Sequence, residues 1–173
     1  NNKWGFYSHL FCAAADYKRR QEPESVQMTG YLYIVNKKIL EEILPLPTEI
    51  RAEDSYISKK ILELGKHYSY SKDAKVLVMF PKNTQDWLNQ KVRSVGGAKQ
   101  VAKYFDKEIH ERSLIEDIKH SLFPLKFASN IREFLYLPYL YLLRLYLWLI
   151  IIYKYKVSGF STGAWKRVES SKY

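Results

Sequence analysis

The sequence predicts an α/β layer of few strands followed by one long apolar helix. Three observations carry this: an aromatic and β-branched run at Tyr31–Val35, a helical pattern opening at Glu53-Asp54 and stopping at Gly65, and a largely apolar stretch from Phe134 to Tyr153, interrupted by Arg144. At 173 residues the chain is long enough for one domain with a real core and short for two.

The elements follow in order. Residues 4 to 15 read as a short apolar helix, and 16 to 27 as a charged loop around Pro23. Cys12 lies in a run of small apolar residues and reads as buried filler; as the single cysteine it excludes an internal disulfide framework and a cysteine-based metal cluster. Tyr31–Val35 reads as a strand, with Gly30 before it at a bend or close approach. Lys37 to Leu44 is a short helix stopped by Pro45. Ser55 to Leu64 places Ile57, Ile61 and Leu64 on one helical face, with Gly65 as the stop. Tyr68–Tyr70 and Lys75–Phe80 read as two further short strands. Thr84 reads as the cap of a helix reaching about Val95, where Gly96-Gly97 breaks or bends it before periodicity resumes through Val101, Phe105 and Ile109.

Charge narrows the choice of partner. The chain carries 28 Lys and Arg against 18 Asp and Glu, a formal +10, which points to an anionic partner. From Ser121 onward, eight Lys and Arg face only Glu133 and Glu169, so the most basic part is also the most apolar. Aromatic residues gather in that apolar tail while the charges flank it, an arrangement suited to lipid and unsuited to nucleic acid. Twenty helical residues span about 30 Å, the thickness of a bilayer core. Tyrosines, Trp148, Arg132, Lys154 and Lys156 supply interfacial anchors. Arg144, near the middle, opposes a simple span at about 2.5–3.5 kcal/mol, and a helix lying in the interface with Arg144 reaching the headgroups remains open. The boundaries predicted are 1–120 for the mixed domain and 121–173 for the membrane-associated helix and basic tail. Asn1-Asn2-Lys3-Trp4 shows no signal-peptide pattern, and the expectation is a chain that begins inside a longer protein.

An acidic pair at a helix start is by itself a cap. Its company changes the weighting. Thr29-Gly30-Tyr31-Leu32-Tyr33, Ile39 to Ile43, Ala52-Glu53-Asp54-Ser55, Pro81 and Gln90-Lys91-Val92-Arg93-Ser94-Val95-Gly96-Gly97, in this order, resemble the C-terminal half of family 2 glycosyltransferases of the GT-A type over about residues 28–100. The resemblance implies a partial GT-A-like (Rossmann-like) mixed sheet with flanking helices, followed by the membrane-associated segment that many members carry. It implies transfer of a sugar from a nucleotide-sugar donor to an acceptor hydroxyl with inversion, Asp54 acting as general base and Glu53 in a supporting or merely solvated role beside it.

On the same resemblance, Gln90 and Arg93 match the family's Gln-x-x-Arg-Trp motif beside the acceptor and the diphosphate, and Gly30 matches the family's glycine near the acceptor and donor sugars, where Thr29 could donate a hydroxyl. Ser94 stands where the motif has Trp, which favours transfer of one sugar over processive polymerisation. Trp87 reads as a core anchor more readily than as a sugar-stacking ring. The complete enzyme would use a divalent cation, Mg or Mn, on the leaving diphosphate, held by an Asp-x-Asp motif that these 173 residues lack. The four histidines show no ligand spacing, and no metal site is assigned. The implied partners are a nucleotide sugar, a lipid-linked or saccharide acceptor, the membrane, and a missing N-terminal half in the same or another polypeptide. The fragment is expected to be inactive alone, with the catalytic part on the cytoplasmic face. The alternative is a non-catalytic membrane-tethered module using its basic apolar tail.

Overall fold

A computed structural model describes residues 2–25, 27–105 and 122–156. The described residues form five α-helices: α1 (Lys3–Gln21), α2 (Lys37–Ile43), α3 (Glu53–Glu63), α4 (Thr84–Ala102) and α5 (Ile131–Lys156), with short 3-10 turns at Pro23–Ser25 and Phe123–Lys126. No strand or sheet is present among them, which overturns the predicted α/β fold and its GT-A-like mixed sheet. The physical reason lies in pairing. A strand is stable only when a neighbour takes its backbone hydrogen bonds and covers one face, and the strand-like segments find neither. Tyr31 to Ile34 are exposed, Ile34 at 94%, and Val76 and Leu77 face solvent, Leu77 at 96%. Near Tyr31 the backbone closes a turn instead, with Leu32 N–H donating to Thr29 O at 3.3 Å. Residues 67 to 70 are tied by side chains: His67 to Glu24 at 2.7 Å, and the Tyr70 hydroxyl to the Asp16 carboxylate at 2.7 Å. Tyr70 and Arg20 together hold the Asp16 carboxyl below the usual carboxylate range.

The chain divides into two compact units, and α1 and α4 each contribute residues to both. The first holds residues 1–12, 79–96 and 112–173, as far as these are described. Its core joins Phe6, Tyr7 and Leu10 of α1, Trp87, Leu88, Val92 and Val95 of α4, and Leu137, Leu140, Leu143, Leu147, Trp148 and Ile151 of α5. Burial of side chains of this size stabilises by about 1.5–3 kcal/mol each before chain entropy is subtracted. Tyr7 is 1% exposed and satisfies its hydroxyl by donating to the Tyr136 carbonyl at 2.6 Å. Burial, with Tyr139 and Tyr136 beside it, raises its phenol far above the ordinary value.

Cys12 is exposed, contrary to its expected role as filler. Phe6, Tyr7 and Leu10 define the buried stripe of α1, and a residue five or six places on from Tyr7 and Phe6 falls on the opposite side of a 3.6-residue helix. The same helix runs on through residues expected to be loop, to Gln21.

Asn130 starts α5: its Oδ1 accepts the Glu133 N–H at 3.0 Å while Glu133 Oε2 accepts the Ser129 N–H at 2.7 Å, a reciprocal cap. Pro138 lies inside this 26-residue helix without ending it. Among the described residues, it is the one helix long and apolar enough to cross a membrane.

The second unit holds residues 13–78 and 97–111, as far as these are described. Its core is Ile43, Tyr56, Ile57, Ile61 and Val101. Gly65 ends α3 as the sequence predicts: its φ of 67° is the left-handed value that favours glycine, with Gly65 N–H on Leu62 O and Lys66 N–H on Ile61 O, both at 3.0 Å. Leu64, beyond the last helical residue, is 40% exposed and leaves the face predicted with Ile57 and Ile61.

Candidate functional site

The polar constellation that the motif order singles out is built where α3 begins. Ala52 precedes the helix and offers no side-chain cap, so the first-turn N–H groups need other acceptors. Asp54, within that first turn, accepts the Ser55 N–H on Oδ1 at 2.8 Å and the Gly30 N–H on Oδ2 at 2.7 Å. Both carboxylate oxygens are thereby oriented by backbone donors, one local and one 24 residues away. The carboxylate of Asp54 does more than cap its own helix.

Gly30 fits this contact because it has no side chain. A Cβ built on it would stand 3.3 Å from Asp54 Oδ2, tighter than ordinary contact, so the carboxylate would have to give by a few tenths of an ångström. Two further bonds strap the same loop to α3: Met28 N–H donates to Ser58 Oγ at 2.9 Å, and Ser55 Oγ donates to Gln27 Oε1 at 2.6 Å. Ser58, 1% exposed, in turn donates a hydrogen bond from its hydroxyl to the Asp54 carbonyl at 2.6 Å. Thr29 Oγ1 lies 3.4 Å from the Tyr31 N–H, a weak local bond. Glu53 is exposed beside the constellation.

The end of α4 fixes the entry to α3. Gln100 Nε2 donates to Glu49 O at 2.6 Å, and its Oε1 accepts the Arg51 N–H at 3.2 Å. Gly97 allows the backbone to come close, since a Cβ there would stand 3.0 Å from the Ala52 Cβ. The predicted break at Gly96-Gly97 therefore does not occur: α4 continues to Ala102, and Gly97 serves a close approach. The predicted resumption reaches Val101 but not Phe105, which lies past the helix end, and residues 106 to 109 lie outside the described residues. Nor is Thr84 the cap of α4. Asn83 Oδ1 accepts the Asp86 N–H at 2.8 Å, while Thr84 Oγ1 shares a hydrogen bond with the Tyr139 hydroxyl at 2.8 Å.

Of the six residues expected at the site, Gly30 and Asp54 are brought into direct contact, with Thr29 and Glu53 adjoining them in sequence. Gln90 and Arg93 stand on α4 in the first unit. Arg93 is exposed, whereas Gln90 is half-buried and its Oε1 is buried without a hydrogen-bond partner. Trp87 is 3% exposed and packs near Phe11 with ring centroids 6.1 Å apart, as a core residue does; its Nε1 is buried and unpartnered. Gln27, Ser55 and Ser58 were not foreseen. The available signal was the Asp54–Ser55–Ser58 spacing, which gathers small polar groups within one turn of the acidic pair.

Among the described residues, no three His, Cys, Asp or Glu side chains gather where a cation could be held. A test of the loop contact follows from its geometry. Gly30→Ala is expected to cost less than about 1 kcal/mol of stability in a thermal melt, because the flexible Asp54 side chain can shift. If Asp54 must be aimed at a substrate, the same shift lowers the rate roughly threefold to tenfold; an unchanged rate would show that the contact positions nothing.

No family model matches the chain, and no curated protein or solved structure is similar to it.

Proposed function

We propose that this chain is the acceptor-side part of a family 2 inverting glycosyltransferase, transferring a sugar from a nucleotide sugar to an acceptor hydroxyl at a membrane. The observation that carries the reading is the Gly30–Asp54 hydrogen bond at 2.7 Å: two residues selected from motif order alone share one polar constellation. The reading rests on residues and motif order and not on a sheet.

In the proposed reaction Asp54 takes the proton from the acceptor hydroxyl as that oxygen attacks the anomeric carbon and the nucleoside diphosphate leaves from the opposite face. Gly30 and the first turn of α3 hold the base in one orientation. The described residues offer no donor set for Mg or Mn, so a divalent cation, its ligands and the remaining nucleotide contacts would come from an N-terminal half in the same or another polypeptide. The catalytic part would lie on the cytoplasmic face, with α5 at the membrane.

A second reading, a membrane-tethered module without activity, is favoured by one observation: the exposed apolar residues of α5 serve an anchor with or without chemistry. The discriminating experiment incubates the full-length protein with radiolabelled nucleotide sugars and membrane lipid extract. Label entering lipid or saccharide supports the transferase. A folded, membrane-bound protein that transfers none of the sugars supports the module.

A further inference from the structure

The two sides of α5 differ in kind. Leu137, Leu140, Leu143, Leu147 and Ile151 point into the core of the first unit, whereas Ile131, Leu135, Leu142, Leu145 and Leu149 are 56–74% exposed. At 100° per residue the exposed set falls on one stripe, which Phe134, Tyr146, Ile152 and Tyr153 widen. From Ile131 to Tyr153 this stripe carries no charged residue and runs about 33 Å. Arg144, the obstacle to burying this helix in lipid, lies four residues after Leu140 and three before Leu147, on the protein-facing side, and is half-buried there. Exposed apolar surface of this extent on one helix calls for a cover.

Lipid is the cover that the charges fit. Arg132 and Lys154 stand at the two ends of the stripe, both exposed, on a chain of net charge +10, where anionic headgroups would meet them. The neighbouring helices decide the orientation. In the same unit α4 exposes Gln85, Asn89, Arg93 and Ser94, and α1 exposes His9. A spanning α5 would carry these groups into hydrocarbon along with the core they share, where polar and charged groups are strongly disfavoured. A helix lying in the surface immerses only its own apolar stripe and leaves its neighbours in water.

We infer that α5 docks this unit on an anionic phospholipid surface, lying in the plane of the interface with the Ile131–Leu142–Leu149 stripe inserted, Arg144 turned inward and both helix ends on one side. The inference rests on the membrane association proposed above and is independent of the transferase chemistry.

The test uses the full chain with Cys12→Ser, bound to sealed phosphatidylcholine vesicles containing phosphatidylglycerol. Arg132→Cys and Lys154→Cys are each exposed to a membrane-impermeant maleimide. In-plane docking predicts that both label from outside. Labelling at one end only overturns the in-plane orientation while membrane association stands; absence of binding by the wild-type chain overturns both, as does burial of the stripe by self-association in place of vesicles. Leu142→Asp and Leu149→Asp are expected to weaken vesicle binding by at least about tenfold each. Their helical circular dichroism should be retained, because both positions are exposed. Binding by these variants equal to wild type would show that the stripe does not insert.

Discussion

On the proposed transferase reading, replacing Asp54 by Asn is expected to lower sugar transfer by the full-length protein by about 10²–10⁴-fold, the range that a positioned general base contributes. The expectation is sharp because the substitution separates chemistry from architecture. The two bonds that hold Asp54 are accepted by its carboxylate oxygens from the Gly30 and Ser55 N–H groups. An Asn side chain keeps one carbonyl oxygen and so retains one of the two, at a cost of about 0.5–1.5 kcal/mol for the other. Folding should survive, and a thermal melt close to wild type beside a lost rate would identify removal of the base. Glu53, exposed and bound to neither N–H, provides the contrast: Glu53→Gln is expected to leave the rate within about threefold, as surface substitutions away from a reacting group do. A wild-type rate in Asp54→Asn removes Asp54 from the mechanism and leaves it the part it plays here, joining a loop to a helix.

Leu140→Ala is expected to destabilise the first unit by about 2–5 kcal/mol, the usual cost of emptying a fully buried leucine site. Leu140 is 0% exposed and belongs to the core that gathers residues of α1, α4 and α5. A loss of that size is a large share of the roughly 5–15 kcal/mol that holds a typical domain together. Leu142, two residues on, is 67% exposed, and Leu142→Ala should change stability by no more than about 0.5 kcal/mol. Urea unfolding of both variants in the same mild detergent checks the pair. Equal midpoints would mean that α5 does not use its Leu140 side for packing, and the core described above would be wrong.

Much of the helical content was legible. Lys37–Ile43 and Glu53–Glu63 begin and end within two residues of expectation, because Pro45 and Gly65 act through local backbone geometry that any context preserves. The long apolar helix was legible for the same reason, since length and composition are properties of the segment itself. The strands were not. Tyr31–Val35 and Lys75–Phe80 have the composition of strands, yet composition cannot supply a partner, and without one the segments remain irregular, with Tyr31 to Ile34 and Lys75 to Leu77 exposed. Gly96-Gly97 misled in the opposite direction: intrinsic propensity favours a break, but the close approach of Gly97 to Ala52 belongs to a continuous helix.

The candidate site divides along the same line. Asp54 and Gly30 were named from motif order and share a hydrogen bond, whereas Gln90 and Arg93, named the same way, stand on α4 in the first unit. The straps that fix Asp54, from Gln27 and Met28 to Ser55 and Ser58, join residues some 30 positions apart, and no local pattern announces them.

The sequence by itself determined that the segments around Lys37–Ile43, Glu53–Glu63 and Ile131–Lys156 become helices, that Pro45 and Gly65 stop the first two, and that the third is apolar enough for a membrane; these follow from interactions within a few residues. Only the tertiary structure decided which side of that helix is covered, that Arg144 faces inward, that α4 runs through its glycines, and that Gly30 reaches Asp54. Each of those outcomes depends on a contact between residues distant in sequence, whose energy exists only once the chain has brought them together.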